Sequence, residues 1–160
     1  MGIETMDQPN RRNFLKTTAG AVLASNLVIR DTATGANDVI RAAVVGVRGR
    51  GGSHIAGLEE LDGVEVVALC DVDENILNDR AAKFKEKYGR DVKKYVDYRE
   101  LLKDSGIDVV SIATPNHWHS IMGIWACQAG KDAYIEKPLS HSLLEGRKLV
   151  EAARKYNRVV

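Results

Sequence analysis

Four short apolar runs rich in β-branched residues, each followed by a stretch of helical periodicity, limit this chain to very few folds. They cover residues 39–45, Val64–Cys70, residues 107–113 and the shorter Asp132–Ile135. Runs of that length with little polar alternation suit strands covered on both faces, as in a parallel sheet. A weaker run at residues 93–96 fits an edge position. Helices are expected between them at residues 54–61, 75–88, 98–103, 117–129 and Leu143–Tyr156. Gly89 and Gly130 fall just past two of these, where a left-handed cap is wanted. Strand and helix alternating at short spacing predict an α/β fold with a doubly wound parallel sheet and right-handed crossovers.

The pattern begins at about residue 38, and residues 1–37 read as a targeting segment and linker. Asn10-Arg11-Arg12-Asn13-Phe14-Leu15-Lys16 sets paired arginines before a modest apolar run at residues 17–29. A run of about a dozen residues, broken by Ser25 and Asn26, is too short to cross roughly 30 Å of hydrocarbon. A charged region followed by a short apolar one is the layout of a cleavable export signal. The arginine pair with Phe-Leu-Lys is similar to the bacterial twin-arginine (Tat) consensus, an address read by a receptor. Export to the periplasm is expected, with a basic tail on a cytoplasmic protein as the alternative. Ala33-Thr34-Gly35-Ala36 offers small residues for cleavage but no clean Ala-x-Ala site.

Composition removes several classes of function. Hydrophobic residues make up 44% and charged residues 28%, a normal globular balance. The net charge is +1, from 23 basic and 22 acidic residues, so no broad field attracts nucleic acid or anionic lipid. Cys70 and Cys127 sit in apolar stretches and read as small core residues, not as a disulfide or metal framework. No metal site is expected. His117 and His119, two residues apart at a helix start, point to different sides, and no Cys or carboxylate completes a shell.

The chemistry starts where the first strand ends. Gly46-Val47-Arg48-Gly49-Arg50-Gly51-Gly52 follows an apolar strand and opens a helix, the context a dinucleotide-binding turn requires. The first glycine permits the tight turn, the last lets helix and strand pack closely, and the exposed amides receive a pyrophosphate. The middle glycine of Gly-x-Gly-x-x-Gly is replaced by Arg48, with Gly49 one residue late. Asp71 ends the next strand about 20 residues further on, where a carboxylate accepts from the adenosine ribose hydroxyls. It also repels the 2′-phosphate of NADP, so NAD is the expected cofactor. Arg48 and Arg50 either bracket the pyrophosphate or lie solvated at the surface. Two further segments sit at strand ends, Thr114-Pro115-Asn116-His117-Trp118-His119 and Glu136-Lys137-Pro138. Their prolines stop the strands, and Thr114, Asn116 and Lys137 then project towards a cofactor laid across the crevice.

The glycine turn, Asp71, Tyr95-x-Asp97-Tyr98-x-x-Leu101-Leu102, Thr114-Pro115-Asn116-x-x-His119 and Glu136-Lys137-Pro138 together resemble the Gfo/Idh/MocA oxidoreductases. The resemblance runs from the first strand to the C-terminus and covers the N-terminal, Rossmann-type NAD-binding domain of that family. It implies that Lys137 lies near nicotinamide and substrate, that Glu136 and Pro138 position it, and that the Thr-Pro-Asn loop borders the cofactor. It also implies a following α/β domain, beyond residue 160, that supplies the substrate pocket, a catalytic base and the contact for a homo-oligomer. Substrates of the family are sugars, polyols and related secondary alcohols, and some relatives use transient oxidation to cleave glycosides.

Lys137 has a rationale of its own. Removing hydride from a secondary alcohol leaves charge developing on its oxygen, and a nearby ammonium stabilises that alkoxide. The competing assignment is an ion pair between Lys137 and Glu136. His119 is expected at the cofactor edge, His54 and His141 at the surface or as caps, and Trp118 and Trp125 on one packing face. The functional alternatives are a non-catalytic NAD-binding module and an NAD-dependent glycosidase.

Overall fold

The computed structural model describes residues 39–160, so the expected export signal and linker lie outside the described residues. The elements in chain order are β1 (Ile40–Val45), α1 (Gly49–Glu59), β2 (Val64–Cys70), α2 (Glu74–Tyr88) and β3 (Lys93–Tyr95). They continue as α3 (Tyr98–Leu102), β4 (Val109–Ile112), α4 (His119–Gln128), β5 (Asp132–Ile135) and α5 (Leu143–Tyr156). A single 3-10 turn, Asn116–Trp118, leads into α4.

The strands form one five-stranded sheet in the order β3-β2-β1-β4-β5, parallel throughout. The apolar runs are explained by cover on both sides. Ala43 and Val45 of β1 face a core completed by Tyr98, Leu101, Met122 and Ala126 from α3 and α4. The intervening Val44 faces Ile55, Leu77 and Phe84 from α1 and α2. A strand with no solvated face has no place for polar residues. The weakest run, β3, lies at the edge, where Lys93 and Lys94 are exposed.

Local signals bound the helices, Gly89 among them as expected. Asp73 caps α2 by accepting from the amides of Asn75 and Ile76, and Gly89 terminates it at φ 71°. Ser142 caps α5 by accepting from the Glu145 amide. Past α5 the chain returns to the outer edge of β5, where the Ala133 amide donates to Val159 O at 2.9 Å.

One boundary differs from expectation in a way that matters. α1 begins at Gly49, not near His54, so the second half of the glycine turn is itself the first turn of the helix. Strand order reverses between β2 and β4 on either side of β1, and ligands of open α/β sheets bind at that point, beyond the strands' C-terminal ends.

Candidate functional site

The glycine turn is held by contacts that admit no side chain at two positions. Gly46 adopts φ +80°, and a Cβ there would lie 2.9 Å from Ala113 O at the end of β4. Its amide donates to Cys70 O at 2.8 Å, tying the turn to β2 as well. A Cβ on Gly51 would lie 1.8 Å from Gly46 O, so α1 touches the backbone of the turn it leaves. Arg48, the departure from the three-glycine pattern, sits at φ −71°, a conformation open to any residue. Gly49 has nothing within 4 Å of its Cβ position. Gly46 and Gly51 are sterically required here, and Gly49 is not.

This packing leaves the N-terminus of α1 open. Arg48 makes no side-chain cap, the first turn carries no acidic residue, and the first amide recorded donating back into the helix is Gly52, to Arg48 O. The first-turn amides of an uncapped helix are positively polarised donors without intrahelical partners. Beside them stands Asp71, at the end of β2. Its Oδ2 accepts from the Val47 amide at 3.0 Å and its Oδ1 from the Asp73 amide at 3.1 Å. The carboxylate is thereby fixed against the turn, with further lone pairs available towards solvent.

Between the turn and the ends of β2 and β4 runs a groove of about 1050 Å³. Its size matches the upper range of small-molecule and cofactor sites, roughly 300–1,000 Å³. Gly46, Arg48, Gly49, Arg50 and Asp71 line one side, and Thr114 and Pro115 the other. Cys70 lies in its wall, where burial and then the neighbouring Asp71 charge push the thiol up to about 12. Val96, Asp97 and Arg99 add a stretch of wall that the sequence reading did not anticipate. An uncapped helix end, a fixed carboxylate and a groove of this size together fit a ligand with a diphosphate and a ribose.

Of the expected residues, Gly51, Asn116, His119, Glu136 and Lys137 do not line this groove. Gly51 is buried beneath the turn. Asn116 opens the 3-10 turn, where its carbonyl accepts from the His119 amide. His119 is 2% exposed, with Nδ1 2.7 Å from Pro138 O and Nε2 2.7 Å from Thr114 O, and so it joins the two strand-end loops behind the groove wall. Arg48 pairs with Asp73 at 2.5 Å and Arg50 with Glu136 at 2.5 Å, both arginines remaining largely exposed. Lys137 is exposed and, among the described residues, makes no ion pair; the Glu136 carboxylate is taken by Arg50 and His54.

Two expectations need correction. His54 is not a surface or capping group. It is buried on α1, with Nδ1 2.8 Å from Ser111 Oγ and Nε2 3.0 Å from Glu136 Oε1. Trp118 and Trp125 do face one side, but Trp118 is not a packing residue: it lies in the 3-10 turn, 45% exposed, while Trp125 stacks on Tyr98. Both tryptophans border the groove.

Fold and groove define a Rossmann-type domain built for a dinucleotide. Residues 40–160 match the sequence profile of the Gfo/Idh/MocA family, described as "Oxidoreductase family, NAD-binding Rossmann fold". The chain belongs to that family. It is 34% identical over 176 residues to a "Glycosyl hydrolase family 109 protein" of Shewanella putrefaciens, covering 94% of this chain and 38% of that protein. It is 33% identical over 177 residues to an "Alpha-N-acetylgalactosaminidase" of Shewanella oneidensis, with the same coverage of 94% and 38%. Among solved structures, the WlbA dehydrogenase of Chromobacterium violaceum, in complex with NADH and UDP-GlcNAcA, superposes with a TM-score of 0.68 at 28% identity. That match covers 79% of this chain and 36% of the dehydrogenase. The chain thus spans 38% of the length of the curated relatives it matches.

Proposed function

We propose that this chain binds NAD along the groove and is the cofactor-holding part of an oxidoreductase that moves hydride between nicotinamide and a sugar, polyol or related secondary alcohol. The observation carrying this reading is the uncapped N-terminus of α1 over the Gly46 turn, with the Asp71 carboxylate fixed beside it. In the proposed complex the amides of Gly49, Arg50 and Gly51 face the diphosphate, and Arg48 and Arg50 offset its charge. Asp71 accepts from the adenosine ribose hydroxyls and disfavours the 2′-phosphate of NADP. Thr114 and Pro115 border the cofactor, while Asn116 and His119 hold their loop in shape. Bound NAD supplies the hydride acceptor or, when reduced, the donor. Lys137, whose ammonium is not drawn to Glu136, stabilises the alkoxide oxygen of the substrate.

The names of the family 109 relatives favour a second reading of the same site, net glycoside cleavage through transient oxidation of the sugar. Both readings need the same cofactor geometry.

The direct test is titration of the chain with NADH, following energy transfer from Trp118 and Trp125 to the dihydronicotinamide. Saturable emission is expected, displaced by NAD and about tenfold less well by NADP, the scale of one unfavourable charge contact. No saturable signal into the millimolar range would exclude the reading.

The paired arginines Arg11 and Arg12 are proposed as an export address to the periplasm. The alignment to the Shewanella putrefaciens relative covers 94% of this chain and so reaches into the segment before residue 39. Substituting lysine at both positions is expected to retain the protein in the cytoplasmic fraction of a bacterial host. Equal periplasmic recovery of variant and parent would defeat the proposal.

A further inference from the structure

His54, Ser111, Glu136 and Arg50 form a connected unit that spans three separate elements. Ser111 lies in β4 and is 1% exposed, His54 lies in α1 and is 8% exposed, and Glu136 follows β5. The ring of His54 bridges them, with Nδ1 2.8 Å from Ser111 Oγ and Nε2 3.0 Å from Glu136 Oε1. Arg50 Nε donates to the same Glu136 oxygen at 2.5 Å, and Glu136 Oε2 accepts from the Lys137 amide at 3.2 Å. The Glu136 side chain is only 11% exposed although it adjoins an exposed lysine.

The hydrogen-bond inventory fixes the roles. The bond from His54, and then that from Arg50, hold the Glu136 carboxyl well below its ordinary range, at about 2, so it is an acceptor only. His54 Nε2 therefore carries the proton that faces it. Nδ1 shares a hydrogen bond with the Ser111 hydroxyl, so both ring nitrogens of His54 are engaged. No buried side-chain nitrogen or oxygen among the described residues lacks a partner. Ser111 and His54 are buried, so losing either ring bond would leave a buried polar group without a partner.

We propose that His54 is a positioning residue for Lys137: by engaging Glu136 from α1, it keeps the neighbouring carboxylate off the lysine ammonium and braces the Lys137 loop against the helix that carries the glycine turn. The functional meaning of this arrangement rests on the NAD reading given above. Glu136 and Lys137 follow the end of β5, with Lys137 in a bend, and here Glu136 is directed to α1 while Lys137 stays in solvent. Released from His54, Glu136 is the nearest carboxylate along the chain for Lys137, and it is then shared between the ammonium and Arg50, whose own side chain is 64% exposed. The same helix thus offers its first amides to the groove and its next turn to the loop of the reacting amine.

The test is the rate of trace acylation of Lys137 in the intact chain, read by mass spectrometry against the other lysines. His54→Asn keeps a group near Ser111 but does not reach Glu136, and Lys137 acylation is expected to fall about two- to five-fold, as an exposed ion pair forms. His54→Gln, whose longer amide reaches Glu136, is expected to restore the parental rate. The double variant His54→Asn with Glu136→Gln is expected to restore it as well, because no carboxylate remains to capture the amine. Equal Lys137 rates in parent, His54→Asn and His54→Gln would overturn the proposal, as would a fall that Glu136→Gln does not reverse. If His54→Asn fails to fold, Glu136→Gln alone decides. It is expected to leave the Lys137 rate at the parental value, and a rise would mean that Glu136 already holds the amine in the parent. NADH titration of the parent separates the two claims. Absence of binding defeats the NAD reading while the acylation pattern still stands, and binding with a flat acylation pattern defeats only the role of His54.

Discussion

Gly51→Ala is expected to destabilise the domain by about 4 kcal/mol or more, enough to leave much of it unfolded at room temperature. Two effects oppose each other in this substitution. Alanine is the better helix former by about 1 kcal/mol, and Gly51 lies in the first turn of α1, so propensity alone predicts a gain. Against it stands a Cβ placed 1.8 Å from Gly46 O and 2.8 Å from Gly46 C. Overpacking usually costs about 1–3 kcal/mol because neighbouring side chains adjust. Here the neighbour is backbone that cannot retreat: Gly46 is itself against Ala113 O and tied to Cys70 O. The helix must move instead, which pulls Ile55 from the core and His54 from Ser111. Steric exclusion wins. Gly49→Ala, two residues earlier and with open space at its Cβ, is expected to be neutral or stabilising by about 0.5–1 kcal/mol. Urea unfolding of the two variants beside the parent measures both. A Gly51→Ala midpoint close to the parent's would mean that turn and helix are not packed as described.

What the sequence discloses is set by how local the cause is. Apolar runs without alternation announced buried parallel strands, because burial on both faces acts residue by residue. The place of Asp71 beside the glycine turn was legible, because it ends the strand that pairs with β1. The start of α1 was not. A stretch reading Gly49-Arg50-Gly51-Gly52 has poor helix propensity, and it is helical because it packs onto the ends of β1 and β4. The partners of His54 were illegible for a related reason. Ser111 and Glu136 lie 57 and 82 residues away along the chain, and no periodicity in the sequence links them. The shared side of Trp118 and Trp125 was legible from their spacing, but the exposure of Trp118 was not, because it sits in the 3-10 turn at the helix start beside the open groove.

Asp71→Ala is expected to weaken NAD binding by about 10- to 100-fold while leaving NADP affinity unchanged or improved. Hydrogen bonds to a charged group contribute about 1.5–3 kcal/mol, which corresponds to that range in the dissociation constant. The effect on NADP has the opposite sign, because the substitution removes a carboxylate that repels a 2′-phosphate. A second contribution weakens both cofactors, and for NADP it is offset by removal of that repulsion. Asp71 also accepts from the Val47 and Asp73 amides, so alanine frees the turn and lowers pre-organisation of the helix end that faces the diphosphate. That contribution is common to NAD and NADP, since both carry the same pyrophosphate, and it cancels in the ratio of the two dissociation constants. The ratio isolates the ribose contact. Competitive titrations of parent and variant against NADH yield it directly, and it is expected to shift at least about tenfold towards NADP. If both constants weaken together and the ratio stays fixed, Asp71 is a brace for the glycine turn and the ribose is recognised by another group.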